Sequence, residues 1–169
     1  MISFDDIAYT AGIIDGEGYI GIVKTHRKSK ITRYELRVAV TMCNSLIPAW
    51  LHANFGGSYY IFQPPSLKHK RLYAWRLATF DAGEFLKVVL PYLKMKQEAA
   101  RIGIEFQSYR EKNYCRRKPK PDVVYQAEAI LHKRLTELHE RQYQEGVSLS
   151  CYQELKNKNL YGGKKWVII

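Results

Sequence analysis

The sequence predicts an α+β fold in the order α-β-β-α-β-β-α, followed by a C-terminal helical appendage. Three observations carry this. Tyr34, Leu36, Val38 and Val40 alternate with Glu35, Arg37, Ala39 and Thr41, the period of two of a half-buried strand. Phe4, Ile7, Ala8, Ala11 and Ile14 recur at helical spacing behind a Ser3 cap with Asp6 three residues on. Turn residues then divide the chain into short strand pairs between helices, with no internal repeat.

The elements follow in order. A helix is predicted over about residues 4–15, ended by Gly16-Glu17-Gly18, and a strand over Tyr19–Thr25. His26–Arg33, rich in Arg27, Lys28, Lys30 and Arg33, reads as a basic hairpin loop before the alternating strand. Asn44-Ser45 cap a second helix through Leu46, Ile47, Trp50, Leu51 and Phe55, which Gly56-Gly57 stop. Ser58–Gln63 and about Arg71–Thr79 are strands joined by a loop with Pro64-Pro65. A helix with Phe85, Leu86, Val89 and Leu90 comes next, and Pro91 is expected to start another through Leu93, Ala99, Ile102 and Phe106. Residues 109–121 form a basic connector, and helices are expected over Val123–Gln144 and Ser150–Lys158. The organisation is therefore a core at 1–108, a connector at 109–121 and a helical extension at 122–169.

Composition narrows the function classes. The 169 residues are 46% hydrophobic, enough for a packed core and too many for a disordered chain. With 27 Lys+Arg against 16 Asp+Glu the net charge is +11, which points to a polyanionic partner, and nucleic acid leads. No signal-like or membrane-spanning apolar stretch is seen, so a secreted or membrane protein is disfavoured. Cys43, Cys115 and Cys151 are odd in number and scattered, which suits a reducing intracellular compartment, prokaryotic cytoplasm or organelle.

The chemistry concentrates at the end of the first helix. Ala8, Ala11 and Gly12 present almost no side chain on one face, which lets another helix approach backbone to backbone. Glu17 sits at the helix's negative end, where a carboxylate is mildly disfavoured unless a cation binds there.

Thr10-Ala-Gly-Ile-Ile-Asp-Gly-Glu-Gly18 resembles the LAGLIDADG motif of homing endonucleases, with Thr10 replacing the leading Leu and Glu17 at the acidic position. Pro91-Tyr-Leu-Lys-Met-Lys-Gln-Glu-Ala-Ala100 is similar to that family's Pro-aromatic-Leu-x-x-Lys-x-x-Ala stretch, and Phe55-Gly56-Gly57 falls where the family ends its second helix. The resemblance covers residues 4 to about 108 and implies the LAGLIDADG homing endonuclease fold, whose concave antiparallel four-stranded sheet binds double-stranded DNA.

The motif occurs once, so the resemblance implies the single-motif branch: a homodimer packed through Ala8, Ala11, Gly12 and Asp15, reading a long pseudo-palindromic site. Asp15 also reads as fixing the helix end. Two Glu17 carboxylates brought together need divalent cations between them, which points to Mg²⁺, with Mn²⁺ able to substitute and no organic cofactor. By the resemblance, Gly16 (through its carbonyl) and Glu17 are the metal ligands, and Lys96 lies near the scissile phosphate. The implied activity is Mg²⁺-dependent hydrolysis of both strands by a site-specific, intron-encoded endonuclease. One departure stands out: Met42 aligns where the family often places a water-positioning Gln. The alternative function is a non-cleaving DNA-binding regulator or an intron RNA-splicing maturase on the same fold.

Strand parity then nominates the contacts. Tyr19, Gly21, Val23 and Thr25, then Arg33, Glu35, Arg37 and Ala39, then Tyr59, Ile61 and Gln63 are expected on the DNA-facing side. Arg37 or Arg33 suits guanine and Gln63 suits adenine. In the last strand the parity is open between Tyr73 and Arg76. Lys24, Arg27, Lys28, Lys30, Lys68, Lys70, Arg71, Arg116, Arg117 and Lys118 are expected mostly at phosphates. Two subunits with strands of about seven residues would span about 14 base pairs before flanking loops are added.

Overall fold

The computed structural model describes residues 2–26, 32–63, 70–114 and 120–147. Helix α1 runs Phe4–Glu17 and opens with a reciprocal capping box: the Asp6 amide donates to Ser3 Oγ at 3.1 Å, and the Ser3 amide donates back to Asp6 Oδ2 at 3.1 Å. The Ser3 hydroxyl is the first cause holding the Asp6 carboxyl below its ordinary range. Strands β1 (Gly18–His26) and β2 (Thr32–Met42) follow, then α2 (Leu46–Phe55), whose first amide is taken by Asn44 Oδ1 at 2.8 Å. Gly56 and Gly57 both adopt positive φ, +69° and +84°, and turn the chain into β3 (Ser58–Phe62) and β4 (Leu72–Ala78). Helix α3 (Thr79–Val89), a 3₁₀ turn (Leu90–Tyr92), α4 (Gln97–Lys112) and α5 (Asp122–Val147) complete the described chain.

One expectation changes here. Pro91 does not open a helix; it sits in the 3₁₀ turn, Leu93 is extended, and α4 begins six residues later at Gln97. The reason is a distant partner: the Asp15 carboxylate accepts from the backbone amides of Lys94 (2.6 Å) and Lys96 (2.9 Å), holding that stretch out of the helix. Helix α4 also continues through Lys112, past residue 108.

The four strands form one antiparallel sheet in the order β1-β2-β4-β3. Its inner face carries Ile20, Ile22, Leu36, Val38, Val40, Trp75 and Leu77, all buried, and the helices supply Ile14, Leu51, Leu86, Val89, Ile102 and Phe106 against it. The residues of the opposite face alternate with the buried ones: β2 reads exposed or half-buried at Arg33, Glu35, Arg37, Ala39 and Thr41. One face thus serves stability, and the other is open to solvent.

The chain divides into two compact units, residues 1–135 and 136–169. Within the first, Glu128 is a buried carboxylate paired with both Lys120 and Arg110, the latter at 3.5 Å. Within the second, residues 136–147 continue α5. Ser150–Lys158, expected as a helix, lies outside the described residues. No helix among the described residues is long and apolar enough to cross a membrane.

Candidate active site and nucleic-acid interface

Helix α1 hands the chain directly to the sheet, because Glu17 is its last residue and Gly18 the first of β1. Gly18 allows this: a Cβ there would lie 2.7 Å from the Ile14 backbone. The Glu17 side chain is exposed, as is Gly16, where a Cβ would meet nothing within 4 Å.

Lys96 closes the junction from the other side. Its ammonium donates to the carbonyls of Ile14 (2.8 Å), Asp15 (2.9 Å) and Gly18 (2.7 Å), using all three of its hydrogens on the negative end of α1. Burial pushes its pKa below the ordinary lysine value, with Asp15 and then Glu17 opposing. Lys96, expected beside a scissile phosphate, therefore holds the turn that carries Glu17. Asp15 completes the clamp from the opposite chain direction, through the Lys94 and Lys96 amides. The carbonyls of Gly16 and Glu17 are not among the Lys96 acceptors, so the exposed Glu17 carboxylate and those two oxygens remain as a hard-oxygen donor set. Among the described residues no three His, Cys, Asp or Glu side chains cluster as a metal site.

The small-residue face of α1 splits. Ala11 is fully buried inside the chain, contrary to its expected place at an interface, because it points with Thr10 and Ile14 into the core. Phe4, Ala8, Gly12 and Gly16, four residues apart, form the exposed stripe instead, and a Cβ at Gly12 would meet nothing within 4 Å.

On the outer sheet face, pairing places Tyr19 beside Ala39, Gly21 beside Arg37, Val23 beside Glu35 and Thr25 beside Arg33, all as expected from the alternation of β2. Gly21 is covered rather than open: a Cβ there would lie 2.0 Å from the Tyr19 hydroxyl, so the Tyr19 ring leans along the strand over it. Arg37 donates to Glu35 Oε1 at 3.0 Å.

The second hairpin differs. Trp75 is fully buried and donates its indole N–H to the Gly56 carbonyl at 2.8 Å, which fixes the parity of β4. Tyr59 pairs with Trp75, and Ile61 with Tyr73. Tyr59, Ile61 and Tyr73 therefore lie on the inner side, and the first is close to His52 of α2, ring centroids 6.1 Å apart. This corrects their expected DNA-facing placement. Arg76 is the outward residue of β4, and Tyr60 and Phe62 take the outward positions of β3. Gln63 follows β3, exposed, and its side-chain oxygen accepts from Arg71 Nε at 2.9 Å. Lys24 is exposed but pairs with the buried Tyr34, so it lies on the inner side of the sheet and not on the expected DNA-facing one. Lys70 is exposed; Arg27, Lys28, Lys30, Lys68, Arg116, Arg117 and Lys118 lie outside the described residues.

Sequence reasoning missed Tyr60, Phe62, Thr41 and Ala74. Together with Arg37, Ala39, Trp75 and Arg76 they line a shallow groove of about 320 Å³ on the outer face. The one signal that reaches them is Trp75: the largest apolar side chain of β4 belongs in the core, and antiparallel pairing then assigns every neighbour.

The same architecture occurs in solved structures. Superposition on the homing endonuclease I-CvuI, in complex with its target in the presence of 2 mM Ca, gives a TM-score of 0.62 over 78% of this chain and 80% of that one, at 16% identity. The archaeal intron-encoded homing endonuclease I-Vdi141I, complexed with DNA, gives 0.61 over 79% and 83%, at 13% identity. The chain has the LAGLIDADG homing endonuclease fold. The LAGLIDADG homing endonuclease I-GzeII, in complex with its DNA target, matches 75% of this chain with 43% of its own, at a TM-score of 0.55 and 10% identity. No family sequence model matches the chain and no curated protein matches it significantly, so the likeness to LAGLIDADG homing endonucleases is carried by structure.

Proposed function

We propose that the protein is a site-specific DNA endonuclease that acts as a homodimer on a long pseudo-palindromic duplex site, and that it is intron-encoded. The observation that carries this reading is the junction of Glu17 with the sheet: the exposed carboxylate ends α1 at the very residue before a strand whose sheet has an outer face lined by arginine and aromatic side chains. Support for acting in pairs comes from the motif-like segment Thr10–Gly18, which this sequence contains once. The exposed stripe Phe4-Ala8-Gly12-Gly16 offers a second copy of α1 a close approach.

Two such helices meeting would bring their Glu17 residues together, and like charges at close range require a counter-cation. Glu17 and the Gly16 carbonyl suit Mg²⁺ or Mn²⁺, and such an ion supplies Lewis-acid activation of water and of the phosphodiester. The chain's own residues position that chemistry. Lys96 and Asp15 hold the turn bearing Glu17, the outer sheet face sets the register of the duplex, and Lys70 and Arg71 meet phosphates. Retaining the Glu17 carboxylate favours the nuclease. The saturation of Lys96 by three carbonyls removes a cation from the phosphate and favours the second reading, a non-cleaving DNA-binding regulator or maturase.

The test is incubation with randomised duplexes carrying candidate intron-insertion sequences, with Mg²⁺, with Mn²⁺ and with chelator, followed by sequencing of cut ends. Two-fold-related cuts that need metal and fall by about a hundredfold or more in Glu17→Gln establish the nuclease. Selective binding without cuts in either metal would replace it with the regulator.

A further inference from the structure

We infer that Arg76, held in place by Tyr60 and flanked by Arg37, is the base-reading residue that selects a guanine in each half of the DNA target. The inference rests on the DNA-binding reading above and deepens it.

Arg76 is the outward residue of β4, half-buried, and pairs with Ala39 on one side and Ser58 on the other. Both neighbours are small, so neither directly paired residue stands between its side chain and a ligand on this face. The guanidinium is not free to wander. Its carbon lies 4.9 Å from the centroid of the Tyr60 ring, and Nη2 donates to the Tyr60 hydroxyl at 2.5 Å. That leaves four of its five N–H groups available, still in the planar fork that matches the two acceptors of guanine, O6 and N7, in the major groove. Adenine presents N7 beside an N6 donor, so a fork of donors can bond only N7 there.

Arg37 stands one outward position along β2 from Ala39 and lines the same groove. It is anchored by Glu35 at 3.0 Å, and its buried Nε–H has no hydrogen-bond partner among the described residues. Two anchored arginines thus share one groove with Thr41 and Phe62, on a floor of alanine. Anchoring is what separates this pair from the basic residues of the loops: a phosphate accepts a guanidinium from many directions, whereas a base edge demands one orientation, and fixing the fork beforehand reduces the entropy cost of binding. Tyr60 is accordingly a positioning residue, acting through Arg76.

The experiment is selection of randomised duplexes by binding, in chelator so that no strand is cut, for the wild-type chain and for Arg76→Ala, Arg76→Lys and Tyr60→Phe, with the salt dependence of affinity for the selected duplex. Wild type is expected to select guanine at one position of each half-site. Arg76→Ala and Arg76→Lys weaken that preference by about five- to 150-fold, at that position alone. Tyr60→Phe, which keeps the ring and removes the acceptor, weakens it less. Arg76→Lys keeps the charge and disturbs the fold little, so an effect shared by both Arg76 variants reports the fork and not misfolding. If both keep the guanine, or if both lower affinity equally for every sequence with a shallower salt slope, Arg76 is a phosphate contact and the inference falls while the DNA-binding reading stands. If the wild-type chain selects no duplex, the DNA-binding reading falls and takes the inference with it.

Discussion

The hairpins β1–β2 and β3–β4 belong to one sheet and share one outer face, yet their faces are encoded differently. In β2 every inward residue from Tyr34 to Val40 is apolar or aromatic and nearly every outward one is polar or small, so a shift of one residue would bury Glu35 and Arg37. In β3 the run Ser58-Tyr-Tyr-Ile-Phe62 has no such period, and all five residues are half-buried or exposed. Its register comes from outside itself, from the pairing of Tyr59 with the buried Trp75 and from the turn at Gly56-Gly57. A strand with strong alternation carries its own parity; one without it borrows it from a neighbour.

That difference can be broken at Trp75. Trp75→Ala is expected to cost about 3–5 kcal/mol by denaturant unfolding, with loss of amide protection concentrated in β3 and β4 rather than in β1 and β2. Uniform loss across both hairpins would show that the second does not depend on this one side chain. Next in size comes the turn. Gly57→Ala places a Cβ 2.6 Å from the Arg76 carbonyl and from Leu77 Cδ2 at a φ of +84°, and is expected to cost about 1–3 kcal/mol. Gly56→Ala at a φ of +69° meets nothing within 4 Å, so its cost of about 1–2 kcal/mol is backbone strain alone, and the pair separates strain from collision.

The smallest effect belongs to the first hairpin. Burial raises the Tyr19 phenol above its ordinary 10.0, with Arg37 pulling weakly downward. A raised pKa means that the folded state keeps its proton longer than the unfolded one. The contribution of this group is therefore fully present below pH 10 and is lost as pH rises through the higher folded value. Absorbance titration should show one tyrosine ionising late, and Tyr19→Phe should remove that step.

How far the residues announced the rest follows the same logic of local and borrowed information. The helix from Phe4, its capping box, the alternation of β2 and the glycine stop after Phe55 are local patterns, and each appears as the sequence predicts. Pro91 misleads because its stretch is governed by Asp15, 79 residues before Lys94 along the chain. Ala11 misleads because small residues at helical spacing look alike whether they face a core or a partner, and only packing puts Ala11 with Ile14 and leaves Gly12 outside. At the site, the place of Glu17 at the helix end is legible in the sequence, whereas the occupation of the Lys96 ammonium by three distant carbonyls is not.

Those hydrogen bonds carry a consequence for the order of events during synthesis. The Lys96 ammonium reaches back 78 to 82 residues to the carbonyls it binds, and closing so long a loop is a late and non-local step. A ribosome that has made α1, both hairpins and α3 has therefore released a chain whose Glu17 turn is not yet held. The turn that carries Glu17 is held only once the stretch before α4 has emerged and docked.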